Sequence, residues 1–238
     1  MKGEWNGMGE RIDITYDLRN DSKSGNPDED SMILYNYHKI LWGKKLPNGN
    51  IFELKNNKDN IFLNYKNSDL EFNLSSDWIM NTYSHWDRLK DVVKQVSDED
   101  LKTFNYYAHT IGGFIIFPKD TINGLSTINV ERGRNPQICD RFDLTLECIR
   151  CHYNNENSPL KEVLGRYGYY FKMLKDFKGF CEYFFLQDLT FGNYTKVKFF
   201  LPFNGYEENP YPKTVDEYLI YMTNFIDFYK KRNIKLQE

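Results

Sequence analysis

Apolar and polar positions alternate along this chain with two different periods, and the switches between them predict its elements. Ile12, Ile14 and Tyr16 alternate with polar residues, which predicts a strand over 11–17. Residues 20–30 are polar and hold Gly25 and Pro27, so they read as a loop. Asp30 or Ser31 can then cap a helix to about residue 41, with Ile33, Leu34, Tyr37 and Leu41 on one face. The Leu-Pro-Asn-Gly-Asn segment at 46–50 is a turn signal, followed by short strands over 51–54, 61–65 and 70–74. Residues 84–96 have helical spacing, and Ser97 to Asp100 begin a second helix that ends near 110. The nearly continuous apolar run 111–117 predicts a strand covered on both faces, turned back at 120–124 to pair with 125–130. A helix over 136–153 follows. Ser158-Pro159 opens another to about 177, and 179–189 is helical and aromatic. A last strand is expected over 196–201, and Thr214 to Glu217 cap a C-terminal helix to about 232. There is no βαβ rhythm and no internal repeat. The expected fold is α+β, a mostly antiparallel sheet covered by helices with a helix-rich C-terminal half, in one globular domain over 1–238.

Composition narrows the classes of function. The 18 Tyr and 18 Phe demand an aromatic core in which each buried tyrosine hydroxyl finds a partner. A net charge of −3 disfavours extended nucleic-acid binding, which needs a basic footprint. Cys148 and Cys151 form a CxxC without a second pair, and with Cys139 and Cys181 they read as reduced, partly buried thiols of a cytoplasmic protein. No metal site is expected. The segment MKGEWNGMGERIDITYD has neither signal-peptide nor transit-peptide character, and no apolar run is long enough to span a bilayer, so no membrane partner is expected. The Asn, Lys, Ile and Tyr bias suggests an AT-rich bacterial or phage genome.

Candidate chemistry concentrates on the 136–153 helix and the segment before it. On a helical wheel Ile138, Phe142, Leu146, Ile149 and Tyr153 form a core stripe. Asp140, Asp143, Glu147 and Arg150 form a second face, and Arg141, Thr145, Cys148 and His152 a third. His152 is a candidate acid or base, Arg141 a candidate anion holder, and Asp140 or Asp143 a candidate orienting group. His152 lies about 16 Å along the axis from Arg141, too far for one small ligand to touch both. Upstream, Glu131-Arg132-Gly133-Arg134-Asn135-Pro136 reads as a loop in which Gly133 permits a tight turn. Arg132, Arg134 and Arg141 beside a helix N-terminus make a candidate seat for phosphate or carboxylate. The ordinary alternative is a solvated charged face in which Arg141 simply pairs with a carboxylate from another element. An organised cluster predicts that Arg141 is under half exposed and has an acidic partner. His109 can approach this site from the Gly112-Gly113 side. His38 and His85 are isolated in sequence, and the acids 28–30 read as a solvated loop without a calcium-binding pattern. No Walker loop, Gly-x-Ser-x-Gly or His-Glu-x-x-His is present.

Two functional readings follow. The first is a protein that binds a phosphorylated small molecule, a nucleotide or a nucleic-acid end at Arg132, Arg134, Arg141 and Asp140, with His152, His109 and Asp143 as catalytic candidates. No cofactor is specified by the sequence. The second is a non-enzymatic interaction or regulatory module, for example in a phage-conflict system. It would use the aromatic runs 180–185 and 206–211 as a partner surface or homodimer contact.

The segments IGGFIIFP, INVERGRNPQICDRFDLTLECIRCHY, SPL and FFLQDL, with YHKILWGKKLPNGNIFEL before them, resemble a family of bacterial proteins known only as a domain of unknown function. The resemblance runs from about Ile12 to Arg232. It implies one domain of that extent, and no activity, cofactor or site residue.

Overall fold

Antiparallel pairing organises the first half of the chain. In the computed structural model, which describes residues 11–56 and 62–237, four strands run in the order β1 (Leu54–Asn56), β2 (Leu63–Lys66), β3 (Glu71–Trp78) and β4 (Phe114–Pro118). β2 pairs with β3 only over Glu71 to Leu74, and β4 pairs with it from Leu74 to Trp78. The helix α1 (Pro27–Asp30) packs against β3, and Asp28 meets Ser76 and Asp77 of its second half. The expected α+β fold is therefore present: an antiparallel sheet, helices around it, and a helical second half. The reading of 1–10 as neither signal nor transit peptide, and Ile61 of the expected strand, lie outside the described residues.

Several helices start where a side chain can accept the first amide protons. Ser31 caps α2 (Met32–Trp42) through Leu34 N, and Ser97 caps α4 (Asp98–Ala108) through Asp100 N. Between them, the helix expected over 84–96 shrinks to a 3-10 turn and the short α3 (Lys90–Val93). Thr214 Oγ accepts from Glu217 N at the start of the long α10 (Val215–Gln237). After β4 come α5 (Ile128–Arg134), α6 (Phe142–Tyr153), α7 (Lys161–Arg166), α8 (Gly168–Met173) and α9 (Phe177–Tyr183). A two-stranded sheet of β5 (Thr190–Phe191) and β6 (Lys196–Val197) precedes α10, so the strand expected over 196–201 is much shorter.

Three other expectations change. Residues 11–17 form a turn, because Asp13 folds its carboxylate back onto Thr15 N and its carbonyl accepts from Tyr16 N. Residues 125–130 are not a strand. Thr127 caps α5, and the hairpin reduces to a bridge between Ile122 and Leu125. The apolar strand is the sheet edge rather than its centre, although all five of its residues are buried. Its outer carbonyls are met by side chains: Tyr170 donates to Ile116 O at 2.8 Å, and Arg232 donates to Phe114 O at 2.9 Å. An unpaired edge is thereby closed without a fifth strand.

The core is aromatic as composition predicts, and several buried tyrosines find carbonyl partners, whereas the buried Tyr229 hydroxyl has none among the described residues. Tyr183 donates to Trp42 O, Tyr218 to Thr82 O and Tyr221 to Asn81 O. The last two tie α10 to the segment following β3. Gly113 sits where α4 and β4 meet. A Cβ there would lie 2.0 Å from the Ala108 carbonyl oxygen, a backbone atom that cannot step aside. Gly113→Ala is expected to lower stability by at least about 1–3 kcal/mol, the usual cost of overpacking. Urea unfolding of the variant measures it, and an unchanged midpoint would contradict the close approach.

Candidate functional site

The polar end of β3 creates the cleft. After Phe72 and Leu74, the strand continues as Ser75-Ser76-Asp77-Trp78 before returning to Ile79-Met80, so a polar island is carried into an otherwise apolar region. Successive side chains of a strand point to opposite faces. Asp77 faces Arg132 of α5, whereas Ser76 faces His38 of α2. The same side of the molecule holds Asp28 from α1, Asn81 from the segment after β3, His109 at the end of α4, and Asp140 from the turn between α5 and α6. Together they line an open cleft of about 420 Å³, with Trp78 and the exposed His85 at its walls.

Arg132 is the cation of this cluster. It is 1% exposed. Its guanidinium contacts Asp77, donates to Trp78 O at 2.9 Å and Thr145 Oγ at 3.3 Å, and lies 3.4 Å from Asp140 Oδ1. Burial works against its charge, but Asp77 and Asp140 outweigh that and hold it protonated. One guanidinium thus serves two carboxyl groups, and its charge also favours the anion of a third, Asp28. Asp140 also accepts from Asn81 Nδ2 at 3.0 Å. Desolvation lifts its pKa to about 6, with Arg132 opposing and Asp77 adding to the rise. Desolvation raises Asp77 as well, and raises Asp28 well above the carboxylate range, with Asp77 as the second cause. Carboxyls shifted towards neutrality in a cleft are candidates for acid–base work.

The backbone here is held in uncommon conformations. Cys139 and Asp140 have φ of 48° and 56°, and Tyr83, buried against Cys139, has 57°, all in the left-handed region that non-glycine residues rarely occupy. Local bonds enforce them. Asn135 O accepts from Cys139 N, Arg132 O accepts from Asp140 N, and Tyr83 donates its hydroxyl to Cys139 O. Such strain concentrates where a side chain must be aimed. His109 adds a defined acceptor. Its Nδ1 lies 2.6 Å from Asn105 O and must donate, so in the neutral ring Nε2 carries the lone pair. Burial lowers its pKa.

The arginine-rich segment is built differently from the expectation. Arg132, Gly133 and Arg134 belong to α5 rather than a loop, and Gly133 does not use positive φ. The expected helix over 136–153 begins only at Phe142, because the left-handed pair Cys139-Asp140 interrupts it. Arg132 faces carboxylates and Arg134 is exposed, so the two guanidinium groups do not converge. Arg141 is fully buried and forms a two-point pair with Asp143, which is fully buried as well. Arg141 further donates to Pro210 O and Leu201 O, and Asp143 accepts from Phe200 N. This pair rivets the 200–210 segment to α6 and does not line the cleft. Arg141 is thus under half exposed and acid-paired, as expected, while the structure gives Asp143 no open face for catalysis. His152 is half-buried against Phe171, with ring centres 4.9 Å apart, and lies away from the cleft. Burial lowers its pKa. Of the expected residues, Arg132, Asp140 and His109 come together at one cleft; Arg134, Arg141, Asp143 and His152 do not join them.

Sequence reasoning missed Asp77 and Asn81 and assigned Asp28 to a solvated loop. The polar island Ser75-Ser76-Asp77 was a usable signal, since a strand that continues past Leu74 must bury those groups. Among the described residues, no three His, Cys, Asp or Glu are grouped to hold a metal ion. All four cysteines are free and buried, and burial raises the thiol pKa of each. No described helix is long and apolar enough to cross a membrane.

A family model described only as a family of unknown function matches residues 12–236. No curated protein and no solved structure gives a match.

Proposed function

The chain belongs to the family of unknown function DUF6994, and we propose from its geometry that it binds a small polar ligand in the Asp28–Asp77–Asp140 cleft and works on it by acid–base chemistry. The carrying observation is the charge imbalance: three carboxyl groups line one cleft against the single guanidinium of Arg132. Such a site favours neutral or cationic ligands rich in hydrogen-bond donors, with Trp78 offering a ring face. Asp140, poised near pH 6, is the proton-exchanging group. The composition and free thiols fit a bacterial cytoplasm as the place of action.

A phosphorylated ligand remains the reading carried by the arginines, and its remaining exposed cation is Arg134. The interaction-module reading has its own observation. Phe191 and Ile220 are 46% and 51% exposed and share one groove with Phe199 and Pro202.

Thermal shift separates the two ligand readings. Nucleosides, polyamines and guanidino compounds are tested beside nucleotides, phosphosugars and inorganic phosphate. The proposal expects a rise with a neutral or cationic compound that disappears in Asp140→Asn and survives in Arg134→Ala. A rise confined to phosphorylated compounds and lost in Arg134→Ala would move the site to the arginine segment.

A further inference from the structure

Lys44 lies over three aromatic rings. Its Nζ is 4.1 Å from the ring centre of Phe185, 5.3 Å from that of Tyr183 and 5.6 Å from that of Trp42. The rings come from two helix ends that the fold brings together. Trp42 closes α2, Tyr183 closes α9, and Phe185 follows two residues later. The Trp42 ring is tilted by 37° to Tyr183 and by 44° to Phe185, with centres 5.8 and 6.1 Å apart, so the three faces wall a cup. Two of the walls are locked. Trp42 donates its indole N–H to His38 Nδ1 at 2.9 Å, and Tyr183 donates its hydroxyl to Trp42 O. The third wall stands in an uncommon place. Phe185 has a φ of 57°, just past α9, where Leu186 N reaches back to Cys181 O and glycine is the usual residue. A phenylalanine there accepts a strained backbone and sets its ring against Lys44.

The lysine ammonium matches this cup poorly. It carries three N–H donors, and ring faces attract its charge but offer no lone pair. Among the described residues no carboxylate or carbonyl accepts from Nζ. Burial pulls its pKa down to about 8, and no carboxylate of the described residues opposes that shift. A methylated ammonium keeps the charge, has no N–H to satisfy when fully substituted, and presents apolar methyl groups to the rings. We infer that Trp42, Tyr183 and Phe185 form an aromatic cage for the quaternary ammonium group of a small molecule of the choline type, with Lys44 as its built-in plug. Binding swings Lys44 out to solvent. Its flexible four-carbon stem permits this, because Lys44 is only partly buried and its neighbours Gly43 and Lys45 are exposed. None of these residues lines the cleft, so the cage is a second site that stands apart from the acid–base reading.

Choline is the probe, beside its uncharged carbon analogue in which a tert-butyl group replaces the trimethylammonium. NMR titration of the full chain measures both. The inference expects Lys44→Ser to bind choline about tenfold more tightly than wild type, because the plug no longer competes. Adding Phe185→Leu, which keeps bulk but removes a ring face, should weaken binding again by about tenfold. The uncharged analogue should bind far more weakly than choline throughout. A further readout needs no variant. In the wild type the Lys44 ε-methylene protons, displaced upfield by the rings, should return to the ordinary lysine position as choline saturates. Asp140→Asn should leave choline binding unchanged, which separates the cage from the cleft. Lys44→Ser binding choline no better than wild type, or an analogue that binds as well as choline, would overturn the cage. Lys44 protons that ignore choline would overturn the plug, and choline binding lost in Asp140→Asn would assign the ammonium to the cleft instead.

Discussion

Arg141→Ala is expected to remove about 3–5 kcal/mol of stability, the usual consequence of stripping one partner from a buried ion pair. Asp143 would be left in a fully buried position without its guanidinium partner, keeping Phe200 N as a donor. The Leu201 and Pro210 carbonyls would lose their guanidinium contacts, so the 200–210 segment should loosen from α6. A loss of this size is a large part of the roughly 5–15 kcal/mol that holds a typical domain folded. Replacing both partners with apolar residues, Arg141→Met with Asp143→Leu, removes the orphaned charge and should recover part of the loss. Urea denaturation of the single and double variants measures the difference. A single variant within about 1 kcal/mol of wild type would show that the pair is not the rivet described.

Asp140→Asn should change stability in the opposite direction. The folded pKa of Asp140 lies above its unfolded value, so the folded state takes up a proton as pH falls from about 6 to about 4. The cost of its ionisation is absent below the unfolded pKa and fully present above the folded one. Stability from this group is therefore lost as pH rises through that window. The shift from 3.8 to about 6 corresponds to an upper bound of about 3 kcal/mol. The side chain is 28% accessible, and solvent screening reduces the expected gain in the variant to about 1–2 kcal/mol above the window. In melting temperature that is roughly 2–8 °C. Asp77 still pairs with Arg132, so the cluster should not collapse. The comparison runs from about pH 4 to about pH 8, and the variant's advantage should grow with pH and then level off. A variant that is more stable than wild type only at low pH would reverse the assignment. A stabilising loss of a cleft carboxyl that also abolishes ligand response is the pattern expected when function is kept at the expense of stability.

The parts of the fold that are legible in sequence are those fixed by local chemistry. Ser31, Ser97 and Thr214 announce their helices because each hydroxyl accepts an amide within three residues. The core stripe Phe142, Leu146 and Ile149 is buried as its spacing requires. Residues 125–130 mislead because Ile128 and Val130 are β-branched, while the contacts that make them helical come from β4 and α7. The α6 boundary misleads for a related reason. Nothing local marks Cys139 and Asp140 as left-handed, since the Tyr83 hydroxyl that braces Cys139 comes from 56 residues away. That displaced boundary moves Asp140 off the helix and into the cleft, so the candidate site was legible as a set of residue types but not as a geometry. Arg132 and Asp140 were found for an anion seat, and the structure surrounds them with carboxyls contributed by Asp28 and Asp77, which no spacing rule connects to them.

The central claim is that Asp140 is held between acid and anion in a cleft built for that purpose. Its carboxyl titration in the intact chain, assigned by the resonance missing from Asp140→Asn, tests this most directly. The account predicts a midpoint near 6 that rises when Arg132 loses its charge in Arg132→Gln. A midpoint in the ordinary aspartate range near 4, unmoved by that substitution, would contradict it.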